Sequence, residues 1–284
     1  MNAAPAPEAV PPAARFDTLV TRALAEDPHR YTRDRLIAEV DAGRHDGLLL
    51  RAAAGLGGLP KAEERRAAIT TIDYAFERLV LPNLSLEQAQ GYCAALEKTV
   101  RMSEASGLDR PGPIWLDTVH HTVLVSALFQ FAANLRQVRP CDRVVLLHDD
   151  SQPDPRFEIV SALMAHLLGI ALVRQPLRGP WFRDLATTST PHTLIVSLAD
   201  MPPARARRRP MRCELHAAGG IRLTVAVENG SAAFARRLGA NHLVLDYPDA
   251  DRIRLAPFQT ERPPACPLVD WVFWPRLVAM PAVA

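Results

Sequence analysis

Arg143-Val144-Val145-Leu146-Leu147-His148-Asp149-Asp150 opens the part of the chain that sets its fold, and Arg252-Ile253-Arg254-Leu255 closes it. Both are apolar runs of strand length. Between them lie Ile170-Ala171-Leu172-Val173, Thr193-Leu194-Ile195-Val196-Ser197-Leu198, Leu223-Thr224-Val225-Ala226-Val227 and His242-Leu243-Val244-Leu245. These alternate with stretches of helical period, Phe157 to Leu168 and Ser231 to Leu238. Strands alternating with helices predict an α/β fold, a largely parallel sheet flanked by helices. In such sheets the carboxyl ends of the strands carry the chemistry. Here those ends hold His148-Asp149-Asp150, Asp200 and Asp246-Tyr247.

Outward from this core, the spacing predicts a disordered Ala/Pro-rich arm over residues 1–14 and a helical region over 15–139, with the α/β core filling 140–284. Phe16 to Ala25 and Arg33 to Ala42 have helical spacing, and Thr32 stands where a cap for the second would be. Lys61 to Leu81 reads as an amphipathic helix with Ala68, Ile69, Ile72, Phe76 and Val80 on one stripe. Ser85, three residues before Gln88, forms a capping box for the next helix. Ser103 to Pro113 reads as a loop, and Ile114 to Val138 as a long buried helix that carries His120 and His121 on its surface. Pro153 and Pro155 make an exposed loop after the first core strand, because proline lacks the amide donor that helix and central strand need. Gly169 is the expected C-cap of the following helix.

Composition narrows the function classes. Of 284 residues, 48% are hydrophobic, enough for one substantial core. A net charge of +2 gives no reason to expect nucleic acid as partner. Four scattered cysteines without C-x-x-C spacing suggest neither a disulfide framework nor a cysteine zinc site, so a cytoplasmic setting is expected. The most apolar window, Thr122 to Leu135, is interrupted by Ser126, Gln130 and Asn134 and is too short to span a bilayer. The P-loop, Gly-x-Ser-x-Gly and a complete Gly-x-Gly-x-x-Gly are absent.

Asp200-Met201-Pro202-Pro203, then Gly219-Gly220-Ile221-Arg222-Leu223, then Asn229-Gly230-Ser231-Ala232-Ala233-Phe234-Ala235-Arg236-Arg237-Leu238-Gly239-Ala240 resemble the lipid A (lauroyl/myristoyl-type) acyltransferase family. The resemblance covers the C-terminal half. It implies transfer of a fatty or polyketide acyl group from a carrier thioester to a hydroxyl or amine. In that family a His-x4-Asp/Glu motif supplies the base and the acid that orients it. The counterpart of the histidine is His148. Pro153 stands where the acid would be; Glu158 takes its place if a loop is inserted, and Asp150 is the alternative by strand alternation. On this reading Arg174 steadies a phosphate of donor or acceptor and Asp200 lines the site; Gly230, at a strand-to-helix turn, either places backbone amides toward an anion or lets the helix pack close to the sheet. No bound cofactor is required, because the thioester, on a phosphopantetheine carrier or on CoA, arrives as substrate. An acyl carrier protein is the implied partner, and a peripheral contact with the inner membrane fits as well. The Arg205, Arg207, Arg208 and Arg209 cluster suits an acidic protein or an anionic membrane surface.

Two rivals stand beside this reading. One is a catalytically inactive protein of the same fold that binds an acyl group or a partner. The other is a metal-dependent glycosyl or nucleotidyl transferase that uses Asp149 and Asp150 with a divalent ion. A literal His-x4-Asp at His29 to Asp34 precedes the helical region and reads as coincidence.

Overall fold

The computed structural model describes residues 12–45, 61–97, 101–121, 124–148, 156–198, 210–216, 222–228, 231–249, 252–259 and 265–267. They fall into two compact units that divide after Val80.

The first unit holds helices α1 (Pro12–Glu26), α2 (Arg30–Asp41) and α3 (Lys61–Leu79). The stripe expected on α3 is buried at Ala68, Ile72, Phe76 and Val80, and Phe16, Val20, Leu24, Leu36 and Val40 complete the unit's core. α1 reaches back to Pro12, inside the segment read as a disordered arm. α2 starts three residues earlier than the sequence suggests, because His29 is its N-cap and accepts a hydrogen bond from the Tyr31 amide at 3.4 Å. Thr32 is no cap; it is buried and donates to Asp27 Oδ2 at 2.6 Å. His29 therefore has a local structural role.

The second unit opens with a short 3-10 turn, Leu81–Asn83, and then α4 (Leu86–Glu97). The capping box forms as expected: the Gln88 amide donates to Ser85 Oγ at 3.2 Å, and the Ser85 amide to Gln88 Oε1 at 3.0 Å. The elements that follow are β1 (Arg101–Ala105), β2 (Ile114–Thr118), α5 (Leu124–Val138), β3 (Arg143–His148), α6 (Arg156–Leu163), β4 (Ala171–Pro176), α7 (Trp181–Thr188) and β5 (Thr193–Leu198). Then come β6 (Pro210–His216), β7 (Arg222–Glu228), α8 (Ser231–Leu238), β8 (Asn241–Asp249), β9 (Arg252–Pro257) and β10 (Ala265–Pro267). α6 runs on as a π-helical turn, Met164–Leu168, and Gly169 caps it at φ 61°.

Seven strands form the main sheet in the order β1-β9-β8-β2-β5-β3-β4. β8, β2, β5, β3 and β4 run parallel; β9 is antiparallel to β8, and β1 is parallel to β9. The α/β expectation is met. The helical reading of Ile114 to Val138 is not: its first five residues are β2, a central strand buried along its whole length. β1 also begins at Arg101 and runs to Ala105, into the start of the Ser103 to Pro113 stretch expected to be loop. The α/β unit thus starts well before residue 140. The reason lies in β2 itself, where Pro113 ends a turn and Ile114, Trp115 and Thr118 are residue types that suit a pleated surface. His120 and His121 precede α5 rather than riding on it.

The Leu223 to Val227 run is also corrected. It is a strand, but β7 pairs antiparallel with β6 in a separate sheet ordered β10-β6-β7, outside the main one.

The connections decide which helix covers which face. β2-α5-β3 and β3-α6-β4 move toward one edge of the sheet, and β4-α7-β5 returns. With right-handed crossovers these lie on opposite faces. The core agrees: Trp115, Val145, Leu147 and Ile195 pack under Leu185 of α7 and Ala235 of α8.

Candidate functional site

Polar groups occupy both faces of the main sheet. On the α8 face, Trp115, Asp117 and His242 project together, since Trp115 pairs with His242 across β2 and β8 and Asp117 is two residues on. Asp117 is fully buried, and its carboxylate accepts from side chains of three elements. Trp115 Nε1 donates to Oδ1 at 3.1 Å, while Ser231 Oγ and His242 Nε2 donate to Oδ2 at 2.6 and 2.8 Å. A carboxylate that costs much to bury is thereby satisfied on both oxygens. Ser231 is the first residue of α8, so the carboxylate also faces the positive end of that helix. His242 stacks on Phe258 with ring centroids 4.0 Å apart.

Ser231, Asp117 and His242 do not form a nucleophilic triad. In a triad the histidine lies between serine and acid, whereas here the acid lies between the other two, and Ser231 is buried. The arrangement locks α8 and β8 onto β2.

The opposite face carries the residues read as catalytic. His148 ends β3 beside Pro176, and Leu146 pairs with Arg174 of β4, so His148 and Arg174 share the face under α6. Arg174 Nη2 lies 3.2 Å from His148 Nδ1, and its guanidinium covers the Phe157 ring at 5.1 Å from the centroid. The structure therefore brings His148 and Arg174 together. Glu158 is exposed on α6, and the group seen on Nδ1 is Arg174. Asp149, Asp150, Asp200 and Gly230 lie outside the described residues, as does the Arg205 to Arg209 cluster.

Further along the carboxyl edge, Thr118 Oγ1 and the Tyr247 hydroxyl are 3.1 Å apart, and His121 stacks on Tyr247 at 4.0 Å. His121 is thus a buried partner of the sheet rather than a helix-surface residue. Asp246 accepts from Arg254 Nη2 at 2.5 Å across the β8/β9 pair.

At the amino edge, a depression of about 510 Å³ is lined by Arg136, Arg139, Cys141, Asp142, Gly169 and His192 among others. Arg139 is committed to structure there, donating to the Arg110, Gly112 and Pro191 carbonyls. Burial pushes the Cys141 thiol up to about 11, which leaves it protonated and unreactive.

The group missed in the sequence is Asp117 with its donors. Its signal was present: Pro113 followed by Ile114-Trp115-Leu116, with polar Asp117-Thr118 at the end, has the form of a core strand with a polar carboxyl end. No protein-family model matches the chain, and no curated protein matches it in sequence.

Proposed function

We propose that this chain is an acyltransferase-type α/β protein that binds an acyl group or its carrier thioester without transferring it. One observation carries this reading, the engagement of His148 Nδ1 by Arg174. A guanidinium only donates hydrogen bonds. Nδ1 is then an acceptor, and a neutral ring bears its proton on Nε2. A histidine base of the His-x4-Asp/Glu type works the other way round. Its acid accepts the Nδ1 proton, and Nε2 stays open to take a proton from the acceptor hydroxyl. Glu158, the acid the resemblance implies, is exposed on α6. What His148 and Arg174 offer together is a cationic, hydrogen-bonding surface for a phosphate or a polarised carbonyl at the carboxyl edge, where ligands of such sheets bind. Phe157 beneath the guanidinium keeps its plane fixed.

The transferase reading is favoured by the place of His148 at the end of an inner parallel strand. Incubation with a panel of acyl carrier protein thioesters, followed by intact-mass and product analysis, separates the two. The binding reading expects the thioester to survive and its retention by the protein to fall in Arg174→Ala. Thioester loss that disappears in His148→Ala would instead establish transfer and overturn it.

A further inference from the structure

We propose that the segment from Leu177 to Arg183, with Phe234 and Arg237 of α8, seats the α/β unit on an anionic lipid surface. The segment leaves β4 at the carboxyl edge, where the Leu177 amide donates to the His148 carbonyl at 3.0 Å. That bond pins its start. Leu177 is 44% exposed, a degree that few large apolar side chains here share. Gly179 turns the chain with φ 58°, and a Cβ at that position would meet nothing within 4 Å, so the tip of the turn stands in open space. Pro180 then caps α7, and Trp181 and Phe182 form its first turn.

The two rings are partly exposed and are braced from below. Phe234 lies 4.8 Å from Trp181 and 4.9 Å from Phe182, ring centre to ring centre, and stacks at 6.3 Å on the buried Trp115. Arg237 covers Phe182 at 5.7 Å. Arg178 and Arg183 are exposed on either side of the aromatic pair, and the exposed Asp184 directly follows the segment. An exposed leucine, two half-buried aromatic rings held rigid and a surround of guanidiniums are the chemistry of a lipid headgroup boundary. Aromatic bodies and the leucine enter the upper acyl region, and arginines meet the phosphates. No helix among the described residues is long and apolar enough to cross a membrane, so this contact lies on the surface. It brings the carboxyl edge of β3 toward the lipid, and it stands whether or not His148 and Arg174 bind an acyl carrier.

The test is co-sedimentation of the full chain with vesicles of phosphatidylcholine, alone or with about a third phosphatidylglycerol. The expected result is binding to the anionic vesicles only, weakened by salt. Arg178→Ala/Arg183→Ala should lower the partition coefficient about twenty-five-fold, from roughly fivefold per basic residue near such a surface. Leu177→Glu, a change in an exposed side chain that leaves the circular dichroism unaltered, should weaken it as well. Failure to bind anionic vesicles would overturn the proposal, as would unchanged binding in both variants. Retention on immobilised acyl carrier protein that is lost in these variants, without any vesicle binding, would assign the patch to a protein partner instead.

Discussion

Replacing Asp117 by alanine asks how much of the α/β unit hangs on one buried carboxylate. The change strands three donors, and their surroundings set the cost. Trp115 is 1% exposed, so its indole N–H finds no water and loses about 1–3 kcal/mol. Ser231, 3% exposed, sits at the start of α8, and its hydroxyl can turn but has little solvent to turn to. His242 retains 13% side-chain exposure and can reach water through its ring edge, so its share is smallest. The sum is about 3–5 kcal/mol, the range found when one partner of a buried charged group is removed. That is a large part of the roughly 5–15 kcal/mol that holds an ordinary domain.

Asp117→Asn separates charge from shape. With its amide oxygen in the place of Oδ1 it still accepts from Trp115, while its N–H groups, in the place of Oδ2, face the Ser231 hydroxyl, which can accept, and His242, which can accept on Nε2 after moving its proton to Nδ1. A loss of about 1–2 kcal/mol is expected. The assay is urea denaturation at neutral pH followed by far-ultraviolet circular dichroism, comparing midpoints at an unchanged slope. A double-mutant cycle with Ser231→Ala should give a coupling of about 0.5–3 kcal/mol. If Asp117→Ala costs under about 1 kcal/mol, or the cycle shows no coupling, the carboxylate is not what fixes α8 and the reasoning fails.

Three further outcomes are expected. With its thiol pushed up to about 11 by burial, Cys141 should be only about one part in a thousand thiolate at pH 8; iodoacetamide should label it far more slowly in the native protein than in urea, and equal rates would contradict its burial. Burial raises the Asp73 carboxyl above its ordinary value of 3.8 despite the ion pair with Arg33 at 2.7 Å. The folded state therefore holds that proton more tightly, so this group's contribution to stability is complete below 3.8 and declines as pH rises through the raised value; Asp73→Asn should flatten the helical unit's stability as pH rises above 3.8, and an unaltered profile would refute the assignment. Gly112 has φ +95°, and a Cβ there would lie 2.9 Å from the Gly239 carbonyl oxygen, so Gly112→Ala should cost about 1–3 kcal/mol in the same urea assay.

The fold was legible where side-chain period and length agreed. The β3 to β5 region alternated cleanly, and α3 and the Ser85 capping box followed rules that need only local sequence. The central strand β2 was hidden because it lies inside the sheet. A strand buried on both faces is a continuous apolar run, and such a run cannot be told from a buried helix by period alone. With Ile114-Trp115-Leu116 read as helix, Asp117 became one more polar residue on a helix face, and its partners Ser231 and His242, more than a hundred positions away in each case, had nothing to converge on. The same limit explains His148. Strand alternation could say which face it occupies, but the guanidinium on its Nδ1 comes from the neighbouring strand, and strand order is a property of the crossovers rather than of any local pattern. The distinction matters for function. A histidine at the carboxyl end of a parallel strand is a base or a ligand-binding donor according to what lies on its other nitrogen, and across the β3/β4 pair that group is Arg174.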